Sequence, residues 1–409
     1  MKKALVFRGP VHHSQLMRPV EQALKKRGVE IIHYTADTEA CFQVDLNKEL
    51  GTNGYLWLSD YQDPEEIEKL YNDHVSYFQR LYASPNGLSL ALPQVLDRVI
   101  RFTVADWCAT RRMLSKVRPT FTLALHELNR WGMILGAFSH VNKIPFFTLQ
   151  EGLYYGHPSI YRGITKYSHA FIWGRGTEEK LLAAGNAPER LIRVGHPDIA
   201  SRLSNASTKD ARHKLYSELP EAARDKKIVL LFVGNLGISG DISPLFEGLT
   251  ESPYFLVARS HQLSSVPAIE AMRQQFNKPG SYFSETERAD SLAHHWRLMA
   301  HAEMFIHIGC STTVVEWAYT GKPQGQIRTN QMHRDFANEM ISVPVDNMTF
   351  LNAIKKIDFE WHAHEKATVL PPDFRSWADD QKRFVDTEID HGDAAGAIAE
   401  KMLEMSNGR

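Results

Sequence analysis

The chain has 409 residues, 43% hydrophobic and 23% charged, with a formal net charge of −1 at pH 7. That length suits two domains rather than one, and the near-zero charge excludes a strong global field for nucleic acid or an anionic membrane. Three cysteines without paired spacing, Cys41, Cys108 and Cys310, argue for a reducing compartment and against a disulfide framework or a structural zinc site.

The start, MKKALVFRGP, has only a short apolar run before Arg8 and Gly9 and reads as a first strand rather than a leader. A helical pattern follows in QLMRPVEQALKKRG, then a second strand in VEIIHYT. This βαβ opening predicts a parallel sheet with helices on its faces. Residues 63–116 read as a helical insertion. Strand patterns resume in TFTLALHE, IPFFTLQEG, AFIWG and LIRVGHP, each ending in a glycine or polar residue, as strands delivering loops to a carboxyl edge should. Residues 198–226 have linker composition, clearest in SNASTKDARHK. The alternation restarts with KKIVLLFVGN, YFLVARSH, GSYFSE, AEMFIHIG and KPQGQI, and a charged helical tail closes the chain.

The expected fold class is therefore α/β, with two doubly wound Rossmann-like domains facing across a cleft. The first spans 1–197, the second 227–365, and the tail 366–409 is expected to pack back on the first. A cleft between two carboxyl edges is where a ligand is expected. No apolar run approaches the roughly 18 residues of a membrane span, so the chain reads as cytoplasmic, with peripheral attachment at the inner face of a membrane left open.

In the second half, Gly234, Asn235, Gly237 and Gly240 of VGNLGISGD follow a strand and could let backbone amides approach a phosphate. The spacing is GxxGxxG rather than the dinucleotide GxGxxG, and the alternative is a flexible turn. The next strand ends in Arg259 and His261, which suit a phosphate better than a ribose diol. At GCSTTVVEW a strand hands over to a helix. Ser311, Thr312 and Thr313 would lie at its first turn as an anion site, and Glu316 would accept hydrogen bonds from a ribose diol. The competing reading is a capping box, since Ser/Thr-x-x-Glu also stabilises a helix start without a ligand.

The first half offers imidazoles, carboxylates and tyrosines: His12 and His13 after strand one, His126, Glu127 and Arg130 in ALHELNRWG, and Glu151, Tyr154 and His157 in LQEGLYYGH. Such groups suit a hydroxyl-rich ligand and proton transfer. His13, Glu151 and His157 are the candidate acid–base residues. His12, Glu127, Arg130 and Tyr154 are the candidate contacts to an acceptor or sugar. Glu151 follows the apolar strand PFFTL and so could be partly desolvated, the condition for acid or base work. For any single histidine a structural role is the alternative. His294, His295 and His301 of AHHWRLMAH read as a helix surface. No GxSxG, HExxH or GxxxxGK[ST] motif occurs, and no Asp-x-Asp pair sits at a strand end to hold a cation under a diphosphate. Neither a metal nor a cofactor is expected.

These residues resemble a glycosyltransferase of the two-Rossmann GT-B class, in particular the bacterial enzymes of capsule and lipopolysaccharide synthesis. The likeness is strongest in PFFTLQEG, AFIWGRGTEEKLLAAGNAPERLIRVGHPD and GCSTTVVEWAYTGKP. Among those enzymes the chain is most similar to retaining β-Kdo transferases, which use CMP-Kdo. Their Gln-Glu-Gly motif corresponds to Gln150-Glu151-Gly152, and their serine-rich junction to Ser311, Thr312 and Thr313. Their basic-x-His-Pro motif corresponds to Arg259-Ser260-His261, with Gln262 in place of proline.

Transfer with retention can run as two inversions through a carboxylate nucleophile. Asp241, the acid that closes GNLGISGD, is the candidate, with capping of the following turn as the ordinary alternative. The resemblance implies a nucleotide-sugar donor, with a CMP-sugar favoured, and a glycan or glycolipid acceptor. The alternatives are a UDP-sugar transferase, a non-hydrolysing sugar-nucleotide epimerase, and a non-catalytic nucleotide-sugar-binding subunit.

Overall fold

The computed structural model describes residues 1–9, 11–36, 46–47, 50–51, 53–82, 94–125, 127–152, 154, 158–233, 242–260, 266–284, 291–308, 312–327, 341–366, 375–389 and 392–407. The chain divides into two compact units, Met1–Pro197 with His391–Arg409, and Asp198–Asp390.

The first unit is built on β1 (Lys3–Phe7), α1 (Val11–Lys26), β2 (Glu30–Thr35), β3 (Tyr55–Trp57), α2 (Pro64–Tyr82), α3 (Gln94–Val117), β4 (Phe121–Ala124), α4 (Arg130–Val141), β5 (Phe146–Leu149), β6 (His169–Ile172), α5 (Arg175–Ala183) and β7 (Leu191–Arg193). The strands pair in the order β3-β2-β1-β4-β5-β6-β7, every pair parallel. Strands buried on both faces need near-continuous apolar runs, and FTLA and FFTL are buried at every position. The long helices α2 and α3 are the region that reads as an insertion, and they share a small core of Tyr71, Val75, Ile100, Val104 and Cys108.

The second unit contains α6 (Ile199–Ala206), α7 (Lys209–Glu218), β8 (Lys227–Val233), β9 (Tyr254–Ser260), α8 (Val266–Phe276), β10 (Ser281–Phe283), α9 (Ser291–His301), β11 (Met304–Ile308), α10 (Thr313–Ala318), β12 (Gln324–Ile327), β13 (Val343–Pro344), α11 (Phe350–Lys366) and α12 (Trp377–Glu388). Its sheet runs β10-β9-β8-β11-β12-β13, again parallel throughout. The stretch that reads as a linker from composition is mostly α6 and α7. Ile199, Leu203, Ala206 and Leu215 are buried while most of the other positions of these helices are exposed, so a polar composition conceals an amphipathic pattern.

The tail divides in the same way. Gln381 of α12 donates to the Ala318 carbonyl (3.0 Å) and accepts from the Gln324 amide (2.8 Å), all within the second unit. The last helix, α13 (Ala394–Asn407), belongs to the first unit, where Ala395, Ile398, Ala399 and Met402 join Met17, Val20 and Leu24 of α1 in one core. Among the described residues no helix is long and apolar enough to cross a membrane.

Candidate functional site

All strands of a parallel sheet point one way, so their following loops gather at one edge, and a ligand crevice opens where the strand order reverses direction. In the second unit that reversal lies between β8 and β11. The register sets Ser260, Val233, Ile308 and Ile327 side by side as the last residues of four neighbouring strands.

Arg259 lies one residue inside the edge, opposite Phe232, and is 3% exposed. An ionised guanidinium is buried only with compensation from its surroundings. Its positive charge bears on His295 of α9. The imidazole Nε2 lies 3.5 Å from Oε2 of Glu316, and the His295 side chain is 12% exposed. Burial holds the His295 pKa below the ordinary imidazole range, and the positive charges of Arg259 and Arg202 push the same way, against the Glu316 carboxylate. His295 is thus a neutral ring paired with a carboxylate. Arg202 is itself paired with Asp198 and lies over the Trp296 ring. Ser260 is 2% exposed, and among the described residues its hydroxyl has no hydrogen-bond partner.

The start of α10 does not form a capping box. Thr312 is the N-cap residue and makes no side-chain cap bond. Its carbonyl accepts the Val315 and Glu316 amides at 2.9 and 3.1 Å. A capping-box acid belongs at the third helical position, whereas Glu316 occupies the fourth and turns to His295. Thr313 is buried at the helix start.

The expectation that His294, His295 and His301 form a helix surface is corrected. His294 is fully buried, with Nε2 2.8 Å from the Ser284 hydroxyl and Nδ1 2.7 Å from Glu218. Arg297 donates to both Glu218 oxygens, at 3.0 and 2.9 Å. This network ties α9 to α7 and to the end of β10. Ser284 is itself completely buried, so the Ser–His–Glu chain is a structural strut with no access for a substrate.

In the first unit the order reverses between β1 and β4. Arg8, Glu21 and His33 form a buried cluster there, with one Glu21 oxygen 3.2 Å from Arg8 and 3.0 Å from His33. Those two partners hold the Glu21 carboxyl below the ordinary range even though burial opposes them. Glu127 is 3% exposed and accepts the backbone amides of Tyr167 and Ser168 at 2.9–3.2 Å. Arg130 donates to Asp106 at 2.6 Å and lies over the Trp131 ring. Both side chains are thus engaged in holding the fold. Tyr154 packs on Tyr161 with ring centroids 4.6 Å apart. Its phenol pKa is raised by burial first and then by the nearby charge of Glu151.

Glu151 is half-buried just past β5. Beside it, Gln150 is 2% exposed and fully bonded. Its Oε1 accepts the Trp173 amide at 2.8 Å, and its Nε2 donates to the Gly152 carbonyl at 2.9 Å and to the Thr177 hydroxyl at 3.1 Å.

No protein-family model and no curated protein matches the chain. Solved structures do. A UDP-GlcNAc 2-epimerase from Neisseria meningitidis, bound to UDP-GlcNAc, is 13% identical with a TM-score of 0.61, over 99% of this chain and 100% of its own. The wall teichoic acid polymerase TagF is 10% identical with a TM-score of 0.55, over 99% of this chain and 89% of its own. Anabaena Alr3699/HepE, in complex with UDP-glucose, is 12% identical with a TM-score of 0.52, over 100% of both chains. The chain has the GT-B fold. At these identities the likeness establishes architecture, and chemistry has to be argued from the site.

Of the residues singled out in the sequence, Arg259, Thr312, Thr313 and Glu316 are described at the carboxyl edge of the second unit, and Glu151 and Tyr154 at that of the first. His12 and His13 fall in the first turn of α1, with their side chains outside the description. Gly234, Asn235, Gly237, Asp241, His157, His261 and Ser311 lie outside the described residues. The sequence reading missed the pairing of His295 with Glu316, the part of Arg202 and the three side-chain hydrogen bonds of Gln150. The signal for His295 was the apolar company of Trp296, Leu298 and Met299, which marks a helix buried on most sides.

Proposed function

We propose that the protein is a nucleotide-sugar-dependent glycosyltransferase whose second unit holds the donor nucleotide. The observation that carries this reading is the placement of buried Arg259 near the end of β9, with the His295–Glu316 pair on α9 and α10, beside the strand-order reversal of that unit. A guanidinium at that edge suits a phosphate, and a carboxylate suits a ribose diol. Thr312, Thr313, Ser311, His261 and the 234–240 loop complete the phosphate side. Glu151 of the first unit serves as acid or base, assisted by His13 or His157. Tyr154 and His12 contact the sugar or acceptor.

The finer reading is transfer of Kdo from CMP-Kdo with retention, through Asp241 as nucleophile, to a bacterial surface glycan or glycolipid at the inner face of the membrane. Its support is the Gln150-Glu151-Gly152 motif and the serine/threonine junction. A CMP-sugar carries a single phosphate, so Arg259 and the loop amides can neutralise it without a divalent cation.

A second reading has a specific observation in its favour. Among the solved structures whose whole length this chain covers are UDP-GlcNAc 2-epimerases from Neisseria meningitidis and Methanocaldococcus jannaschii. One experiment separates the two. Purified protein is incubated with CMP-Kdo or UDP-GlcNAc, with and without a glycan acceptor, and the products are resolved by mass spectrometry and NMR. A transferase consumes donor in proportion to acceptor. An epimerase converts UDP-GlcNAc with no acceptor present.

A further inference from the structure

Glu151 sits between two residues that one buried amide ties together. A glutamine has one acceptor oxygen and two N–H donors, and Gln150 uses both ends. Its oxygen takes the backbone N–H of Trp173 at the end of β6. Its nitrogen reaches the carbonyl of Gly152, on the far side of Glu151, and the hydroxyl of Thr177 on α5. The Gln150 main chain is also fixed, since its amide donates to Phe171 at 2.9 Å. Trp173 requires an acceptor and Gly152 a donor, so the orientation of the amide group is dictated by its partners. Beyond Glu151, Lys180 of α5 donates to the Tyr154 carbonyl and pins the next segment to the same helix.

We infer that Gln150 is the positioning residue for Glu151. It closes the 150–152 turn from the inside and so fixes where the Glu151 carboxylate is presented at the sheet edge, while the polar atoms of the Gln150 side chain are engaged with the protein. This inference rests on the acid–base reading of Glu151 under the proposed function. Only a side chain that accepts at one end and donates at the other can hold the turn. Methionine has the length and neither capacity. An ionised glutamate accepts but cannot donate, whereas a protonated glutamate does both.

Substitution at 150 therefore makes a pH-dependent prediction that a residue serving stability alone would not. Nucleotide release from CMP-Kdo and from UDP-GlcNAc is measured for the wild type, Gln150→Met, Gln150→Glu and Glu151→Gln, well below each Tm and with folding checked by circular dichroism. The expected result for Gln150→Met is a kcat loss on the order of 10²-fold, the scale of a misplaced catalytic group, with an unchanged KM for the donor. For Gln150→Glu, the ratio of its kcat to the wild-type kcat rises as pH falls and the introduced carboxyl gains its proton. A folded Gln150→Met with wild-type kcat, beside an inactive Glu151→Gln, overturns the positioning role and leaves the Glu151 reading standing. A flat Gln150→Glu ratio across pH also overturns it. Wild-type turnover in Glu151→Gln overturns the acid–base reading and the inference with it.

Discussion

Nε2 of His295 lies 3.5 Å from Oε2 of Glu316, with both side chains mostly buried. The pair joins α9 to α10, and burial keeps the imidazole neutral against the pull of the carboxylate. Its depressed pKa has a consequence for stability. The unfolded chain binds a proton at this histidine near the ordinary value of about 6.5, while the folded chain resists it. Where the unfolded state binds more protons, stability falls as pH falls. The contribution is complete above the unfolded pKa and is lost on acidification toward the folded one. Urea midpoints between about pH 8 and about pH 5 should decline less steeply for His295→Gln than for the wild type. Equal slopes would refute the assignment.

Glu127 should behave as a structural residue. Its carboxylate satisfies the buried amide of Ser168 and the partly buried amide of Tyr167, and truncation removes that acceptor from both. Glu127→Ala should lower unfolding stability by about 1–3 kcal/mol, the cost of a buried unsatisfied group, measured by urea denaturation. A variant as stable as the wild type would contradict this role.

The C-terminal helix should be integral to the first unit. Met402 is fully buried against the α1 core, so Met402→Ala should cost about 2–5 kcal/mol. Calorimetry would show a lowered Tm for the transition that contains the first unit. An unchanged thermogram would mean that α13 docks too weakly to complete that core.

Much of this fold was legible because buried parallel strands leave long apolar runs such as KIVLLFV and FFTL. The shortest strands, Tyr55–Trp57 and Val343–Pro344, are too brief to show any period. Helices α6 and α7 were hidden by composition, although Ile199, Leu203 and Ala206 stand at helical spacing. The placement of Arg259, Glu316 and Glu151 near the ends of strands or in the helix that follows one was legible, because each stands close to a long apolar run. The same was not true of His294, whose partner Glu218 lies 76 residues away in sequence, nor of Gln150, whose role depends on the neighbouring strand. Long-range pairing of this kind leaves no local pattern.

Asp241 carries the sharpest chemical prediction of the finer reading. Attack by its carboxylate on the sugar's anomeric carbon would release CMP and leave a glycosyl ester on the protein. Intact-protein mass spectrometry after incubation with CMP-Kdo and no acceptor should show one added sugar residue, absent from Asp241→Ala. Normal turnover by Asp241→Ala, or a product of inverted configuration, would remove Asp241 from the mechanism.

The central claim is that the second unit binds a nucleotide through Arg259. A ligand that binds only the folded state raises its stability by mass action. Thermal unfolding in the presence of CMP, UDP, GDP or ADP, compared between wild type and Arg259→Ala, tests that claim most directly. The account predicts that one nucleotide raises the wild-type Tm most, and that Arg259→Ala binds it more weakly by about 1.5–3 kcal/mol, the range for a charge-assisted hydrogen bond. A folded Arg259→Ala protein that binds this nucleotide as tightly as wild type would contradict it.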